Sequence, residues 1–155
     1  METKARFDEV IEKLPIFLNR LRSSPALNRN SLGRVPKSGI YAFYEEEIPI
    51  YVGRSNRLRE RLFEHSRPSS THNSATFAFN LAVEEAKKQG FDLPLMPRET
   101  LQHDPQFREL YSRAKERVSR MDIRVVEVTD PIDQTVFEVY AALELETPYN
   151  TFENH

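Results

Sequence analysis

A chain of 155 residues, 39% hydrophobic and 30% charged, fits one domain with a real core, and without cysteine it excludes disulfide frameworks, thiolate zinc sites and cysteine nucleophiles. No apolar run approaches a membrane span, and Met1 to Arg20 lacks the continuous apolar core of a secretory signal, so the cytoplasm is the expected compartment. The net charge of -2 hides an asymmetry: residues 1–67 hold 13 Lys/Arg against 9 Asp/Glu, and residues 68–155 hold 9 against 15.

Residues 3–22 carry Phe7, Val10, Ile11, Leu14, Phe17, Leu18 and Leu21 at helical spacing, with Pro15 expected to kink or split the helix. Ser23 to Ser38 reads as a connecting loop. Gly39–Tyr44 and Ile48–Ser55 are β-branched and aromatic and flank Glu45-Glu46-Glu47, which predicts a hairpin. A helix is expected from Asn56 to about Ser66, capped by Ser55 or Asn56. Ser74–Gln89 is helical in pattern and Gly90 terminates it; 91–105 is a Pro-interrupted loop. Gln106–Arg120 reads as a helix and Asp122–Val128 as a strand. Asp130-Pro131 opens a last helix that runs to Glu146 and stops at Thr147-Pro148. This order predicts an α/β (α+β) fold, a small three-stranded antiparallel sheet flanked by helices.

A hairpin turn centred on Glu46 sets Tyr41 opposite Tyr51 on one face, with Ile40, Ala42, Ile50 and Val52 on the other. Two strand tyrosines packed for area is the plainer reading of such a pair. Gly39 and Gly53 add weight to a ligand-facing one, because missing side chains there let a ligand backbone come close. On the following helix Arg57, Arg61 and His65 recur every fourth residue, about 6 Å per step, beside a stripe of Leu58 and Leu62. An arginine stripe is equally an ordinary solvated face, and a lone histidine is more often a surface residue than a base. Glu138 sits on the last helix near an apolar stripe. A single carboxylate suits a hard divalent ion that keeps waters and takes phosphate oxygens, although an ordinary helix glutamate looks the same in isolation. Asn150 after Pro148-Tyr149 is open to three readings: a turn residue, a brace for nearby backbone, or a brace for the glutamate. The remaining histidines, His72, His103 and His155, are too scattered to argue for a second metal.

Together these positions resemble the GIY-YIG nuclease family. The first half of its motif corresponds to Gly39-Ile40-Tyr41 and the second to Tyr51-Val52-Gly53, with valine for isoleucine. The family's helix arginine falls on Arg61, a histidine found in some branches on His65, its metal-binding glutamate on Glu138 and its asparagine on Asn150. The basic residue after the second half is Arg54. The resemblance covers residues 38–66 and 121–151, roughly the whole family core. It implies one domain over 1–155, with an N-terminal helix and loop at 1–37 and a helical insertion at 67–120 that is longer than in the smallest members.

The resemblance also implies an enzyme, a metal-dependent endonuclease that hydrolyses phosphodiester bonds, most naturally in DNA, with Mg2+ or Mn2+ held by Glu138. Tyr41, Tyr51, Arg61, His65 and Glu138 would form the catalytic set, and Gly39, Gly53, Arg54, Arg57 and Asn150 would contact substrate. Tyr41 and His65 both qualify as general base at this point. Two other classes are open: a nucleic-acid- or protein-binding module on the same scaffold, and an interaction protein that pairs through its N-terminal helix.

Overall fold

The computed structural model describes residues 2–93 and 96–152, so His155 lies outside the described residues. The fold is mixed α/β around a three-stranded antiparallel sheet, as the order of elements predicts. The expected single domain divides into two compact units, Met1–Arg59 with Asp122–His155, and Glu60–Met121. The second contains the expected insertion and begins a few residues earlier.

In the first unit, strands β1 (Gly39–Glu45), β2 (Ile48–Ser55) and β3 (Asp122–Glu127) lie in the order β2-β1-β3. The hairpin differs from expectation in register. Glu46 and Glu47 both take left-handed φ, 51° and 68°, and close a two-residue turn with Glu45 opposite Ile48. The register then shifts between Phe43 and Tyr44, where β2 carries one extra residue. Tyr41 therefore lies opposite Gly53, and Tyr51 lies opposite Phe43. The phenols are diagonal neighbours, not a facing pair. A one-residue slip alone would have put Tyr51 on the opposite face from Tyr41; the bulge restores the shared face.

Helix α1 (Thr3–Ser23) runs through Pro15 as one helix, which corrects the expected break. Pro15 is on the exposed face. Leu14, Leu18 and Leu21 on either side of it are buried, each contributing about 1.5–3 kcal/mol, and this outweighs the roughly 3 kcal/mol cost of an interior proline. They pack with Ile40, Ala42, Val52, Val126 and Val128, and with Phe137 and Ala141 of the last helix, α6 (Pro131–Leu145), to form the core on one sheet face. Asp130 caps that helix through Ile132 N–H and Asp133 N–H, as its Asp-Pro start predicts. The first half of the α1 stripe does not pack: Phe7 is 52% exposed and Ile11 42%.

Helix α2 (Leu58–Glu64) is shorter than expected, so Arg57 and His65 flank it and only Arg61 lies within it. The remaining helices belong to the second unit: α3 (Thr76–Lys88), a short α4 (Arg98–Leu101) inside the expected loop, and α5 (Pro105–Ser119). Phe79 packs at a tilt on Phe107, 4.9 Å between ring centres, and edge-on against Tyr111 at 5.4 Å, giving this unit an aromatic core of its own. Lys115 Nζ donates to Pro68 O and Ser70 O and lies 4.3 Å from the centre of the Tyr111 ring, which fixes the loop after α2. Among the described residues, no helix is long and apolar enough to cross a membrane.

Candidate functional site

The site is built on three consecutive residues of an edge strand, Val52-Gly53-Arg54. β2 pairs with β1 on one side only, so alternate backbone groups on its other side need partners. Asn150 supplies two of them: its Oδ1 accepts from Val52 N–H at 2.8 Å and its Nδ2 donates to Val52 O at 2.7 Å. Thr147 Oγ1 donates to the same Oδ1 at 2.8 Å and holds the amide in place. Tyr149 N–H reaches Ile50 O at 3.4 Å. Of the three readings open for Asn150, the brace for nearby backbone is the one observed. Asn150→Ala should therefore lower unfolding stability by about 1–3 kcal/mol, read from the urea midpoint, because Val52 loses both edge partners.

Glu138 serves the next position along. Its carboxylate accepts a hydrogen bond from Arg54 N–H, and α6 carries it there by packing against β2. Burial raises its pKa above the ordinary carboxylate value, while the Arg54 guanidinium and that backbone bond pull it partly back. A half-buried carboxylate of raised pKa, beside an exposed arginine, is a group under chemical tension.

Tyr41 arrives from the sheet itself. It is 1% exposed, and a side chain added at Gly53 would run into its hydroxyl and ring, so the phenol lies directly over Gly53. At Gly39 an added side chain would meet Val126 O of β3. These two close approaches correct the expectation that the glycines open space for a ligand backbone: a phenol fills one gap and a neighbouring strand the other. Tyr51 is half-buried, 6.5 Å from Phe43 between ring centres, and is the phenol that solvent reaches. Thus Tyr41, Gly53, Arg54, Glu138 and Asn150 meet on one short stretch of β2, and Arg57 follows it at the entry to α2, where its N–H donates to Ser55 Oγ. That bond closes a turn ahead of α2, which begins at Leu58, beyond either expected cap.

Arg61 and His65 belong to the second unit. Arg61 Nη1 donates to Ser74 O at 2.6 Å and to Glu64 Oε2 at 3.2 Å, which orients the guanidinium within that unit. His65 is fully buried against Phe77, 6.4 Å between ring centres, and burial with the nearby Arg61 charge lowers its pKa well below 6.5. It is a neutral, enclosed imidazole. The unfolded chain takes up a proton as pH falls through about 6.5, and the folded chain does so only much lower. The stability that His65 contributes is therefore complete above that pH and lost below it, by up to about 1.4 kcal/mol per pH unit. His65→Gln should flatten this dependence when denaturant midpoints at pH 7 and pH 5 are compared; identical slopes in both proteins would show an imidazole open to water.

Sequence reasoning missed Gln134. It is 1% exposed on α6, and its Nε2 donates to Val128 O at 2.6 Å and to Asn56 Oδ1 at 3.0 Å, tying the end of the sheet to the start of α2. A lone amide on the buried stripe of a capped helix was its only signal. A cleft of about 510 Å³ between α1 and the start of α6 is lined by Phe7, Val10, Lys13, Ile132 and Asp133 among others, and by none of the site residues above.

Among the described residues no three His, Asp or Glu side chains form a ready-made metal cage. Glu138 offers a single hard carboxylate donor, the kind that suits a divalent ion whose other ligands are water and phosphate oxygens. Comparison with known protein families, with characterised proteins and with solved structures finds no match.

Proposed function

We propose that the chain is a divalent-metal-dependent endonuclease acting on DNA in the cytoplasm. The observation that carries this reading is the meeting of Tyr41, Glu138 and Asn150 on Val52-Gly53-Arg54, three motif positions from distant parts of the sequence gathered on one strand.

Hydrolysis adds a water oxygen to phosphorus and breaks the opposite P–O bond, so negative charge grows on a group that is already anionic. Arg54, beside Glu138, and Arg57 beyond it offer cationic forks to phosphate oxygens, a geometry lysine does not reproduce. Arg61, oriented by Ser74 and Glu64, has the same role by resemblance. Mg2+ or Mn2+ held by Glu138 would neutralise charge on the phosphate and the leaving oxygen. Glu138 and Asn150 keep the strand edge rigid beneath it. Tyr51 orients the water, being the phenol open to solvent, and passes its proton toward bulk water. Tyr41, covered by the sheet, fixes the backbone at Gly53. His65 is the weaker candidate for the base, because it is enclosed by its own unit's core.

The test is nicking of supercoiled plasmid by the purified protein with Mg2+ or Mn2+. Cleavage should vanish with chelator and in folded Arg61→Ala. Full activity in both conditions would remove the mechanism.

One observation favours a second reading, a non-catalytic nucleic-acid-binding module. Tyr41 is 1% exposed and the Asn150 amide is engaged by the strand edge, so both have a structural use without chemistry. That module would bind DNA in chelator and keep binding as Glu138→Ala.

A further inference from the structure

Helix α6 is apolar on two opposite sides. Its inner side carries Phe137 and Ala141 into the core. On its outer side Ile132, Val136, Val139 and Leu143 recur at steps of four, three and four. Val136 is half-buried, but Ile132 is 53% exposed, Val139 40% and Leu143 72%. A helix on a protein surface normally turns charge outward. Helices α3 and α5 do so, with Glu85, Lys87 and Lys88 on one and Glu109, Arg113 and Glu116 on the other.

Three observations say what covers this face. The alternation of four and three is the seam of two paired helices, which selects a helix as occupant. That seam is also complementary to itself. Run antiparallel, a second α6 sets Ile132 against Leu143 and Val136 against Val139, branched aliphatics throughout. In this register Asp133 faces Ala142 of the second copy and Glu144 faces Pro131, whereas parallel pairing would set each acid against its own twin. The area, finally, is sufficient. Phe7 lines the same cleft as Ile132 and extends the patch onto α1. At about 150–200 Å² for each free side chain, the exposed parts of Phe7, Ile132, Val139 and Leu143 come to about 400 Å², near the apolar share of the 800 Å² or so that each partner gives to a standard interface. A lipid surface is the poorer occupant. Interfacial helices carry Lys or Arg beside their apolar face, and α6 has neither from Pro131 to Leu145.

We infer that the outer face of α6 is an isologous interface through which two copies of this chain pair antiparallel, with Leu143 of each copy seated at the other's cleft between α1 and α6. The pairing does not rest on the nuclease reading, because Glu138 is on the β2 side of the same helix.

Sedimentation equilibrium of the full chain at micromolar concentration should give twice the monomer mass. Leu143→Glu should raise the dissociation constant on the order of 10²-fold. It should not lower the urea midpoint of the monomer, where that side chain is already exposed. Ile48→Glu, at an exposed isoleucine of the hairpin, should leave pairing unchanged. The chain has no cysteine, which permits a test of direction. Ile132→Cys mixed with Leu143→Cys should form an intermolecular disulfide far faster than either variant alone. A monomer at every concentration, equal weakening by Leu143→Glu and Ile48→Glu, or faster crosslinking of each cysteine variant with itself would each overturn the interface. A monomer that binds phosphatidylserine vesicles, and loses them in Leu143→Glu, would assign the face to lipid instead. A monomer that cuts DNA would remove the interface and leave the nuclease standing.

Discussion

Glu138→Gln should abolish plasmid cleavage, by on the order of 10²-fold or more, and make the protein more stable at pH 7. The two effects have one cause. Burial penalises the ionised carboxylate, and Arg54 only partly offsets that, so the folded pKa stands above the unfolded one. The penalty is absent in acid, where both states are protonated. It appears as pH rises through 4.5 and then through the raised folded value, and is complete at neutrality. Glutamine carries no charge to penalise and its side-chain oxygen still accepts from Arg54 N–H. Nicking assays and urea unfolding at pH 7 and pH 4 test both halves. A folded variant that cuts like the parent would end the metal role of Glu138. Unchanged stability at pH 7 would instead show a carboxylate well hydrated in the folded state. A group retained at a cost in stability is what a site for chemistry looks like.

Gly53→Ala should be strongly damaging for so small a substitution, at about 3 kcal/mol. Its methyl group would occupy space already taken by the hydroxyl and the adjoining ring carbon of Tyr41. Neither can give way easily, since Tyr41 is 1% exposed and packs edge-on against Phe43 at 5.7 Å. Tyr41→Phe would not relieve the clash, because ring carbon lies close as well. In a Tyr41→Leu background the alanine should cost much less. A double-mutant cycle read by urea unfolding measures that coupling, and strict additivity would mean that the ring does not cover Gly53.

The elements themselves were legible because their signals are local. Asp130-Pro131 and the apolar stripe of α6 are sufficient to define its start and inner face. The hairpin register was not legible. Two-residue turns with left-handed φ normally announce themselves as Asn-Gly or Asp-Gly, and here two glutamates adopt that backbone. The bulge leaves no mark in composition at all. Pro15 misled because the penalty of a proline is local while the leucine burial that outweighs it is tertiary. At the site, the family resemblance singled out Glu138 and Asn150 but not their shared use as partners for β2 backbone, which depends on where the chain returns after α6. His65 looked like a base because unperturbed imidazole titrates near neutrality; burial lowers its pKa well below that value, and burial is not written in one residue.

A three-stranded sheet has two rims, and bare rims invite copies of the same chain to add on as further strands. Here one rim is fastened at Leu27 and the other is occupied by Tyr149, Asn150 and Glu138. The residues proposed for cutting DNA thus also engage backbone groups onto which a further strand would add. Selection on either property would preserve the same atoms, and losing Asn150 would expose the molecule to clumping before any chemistry was touched.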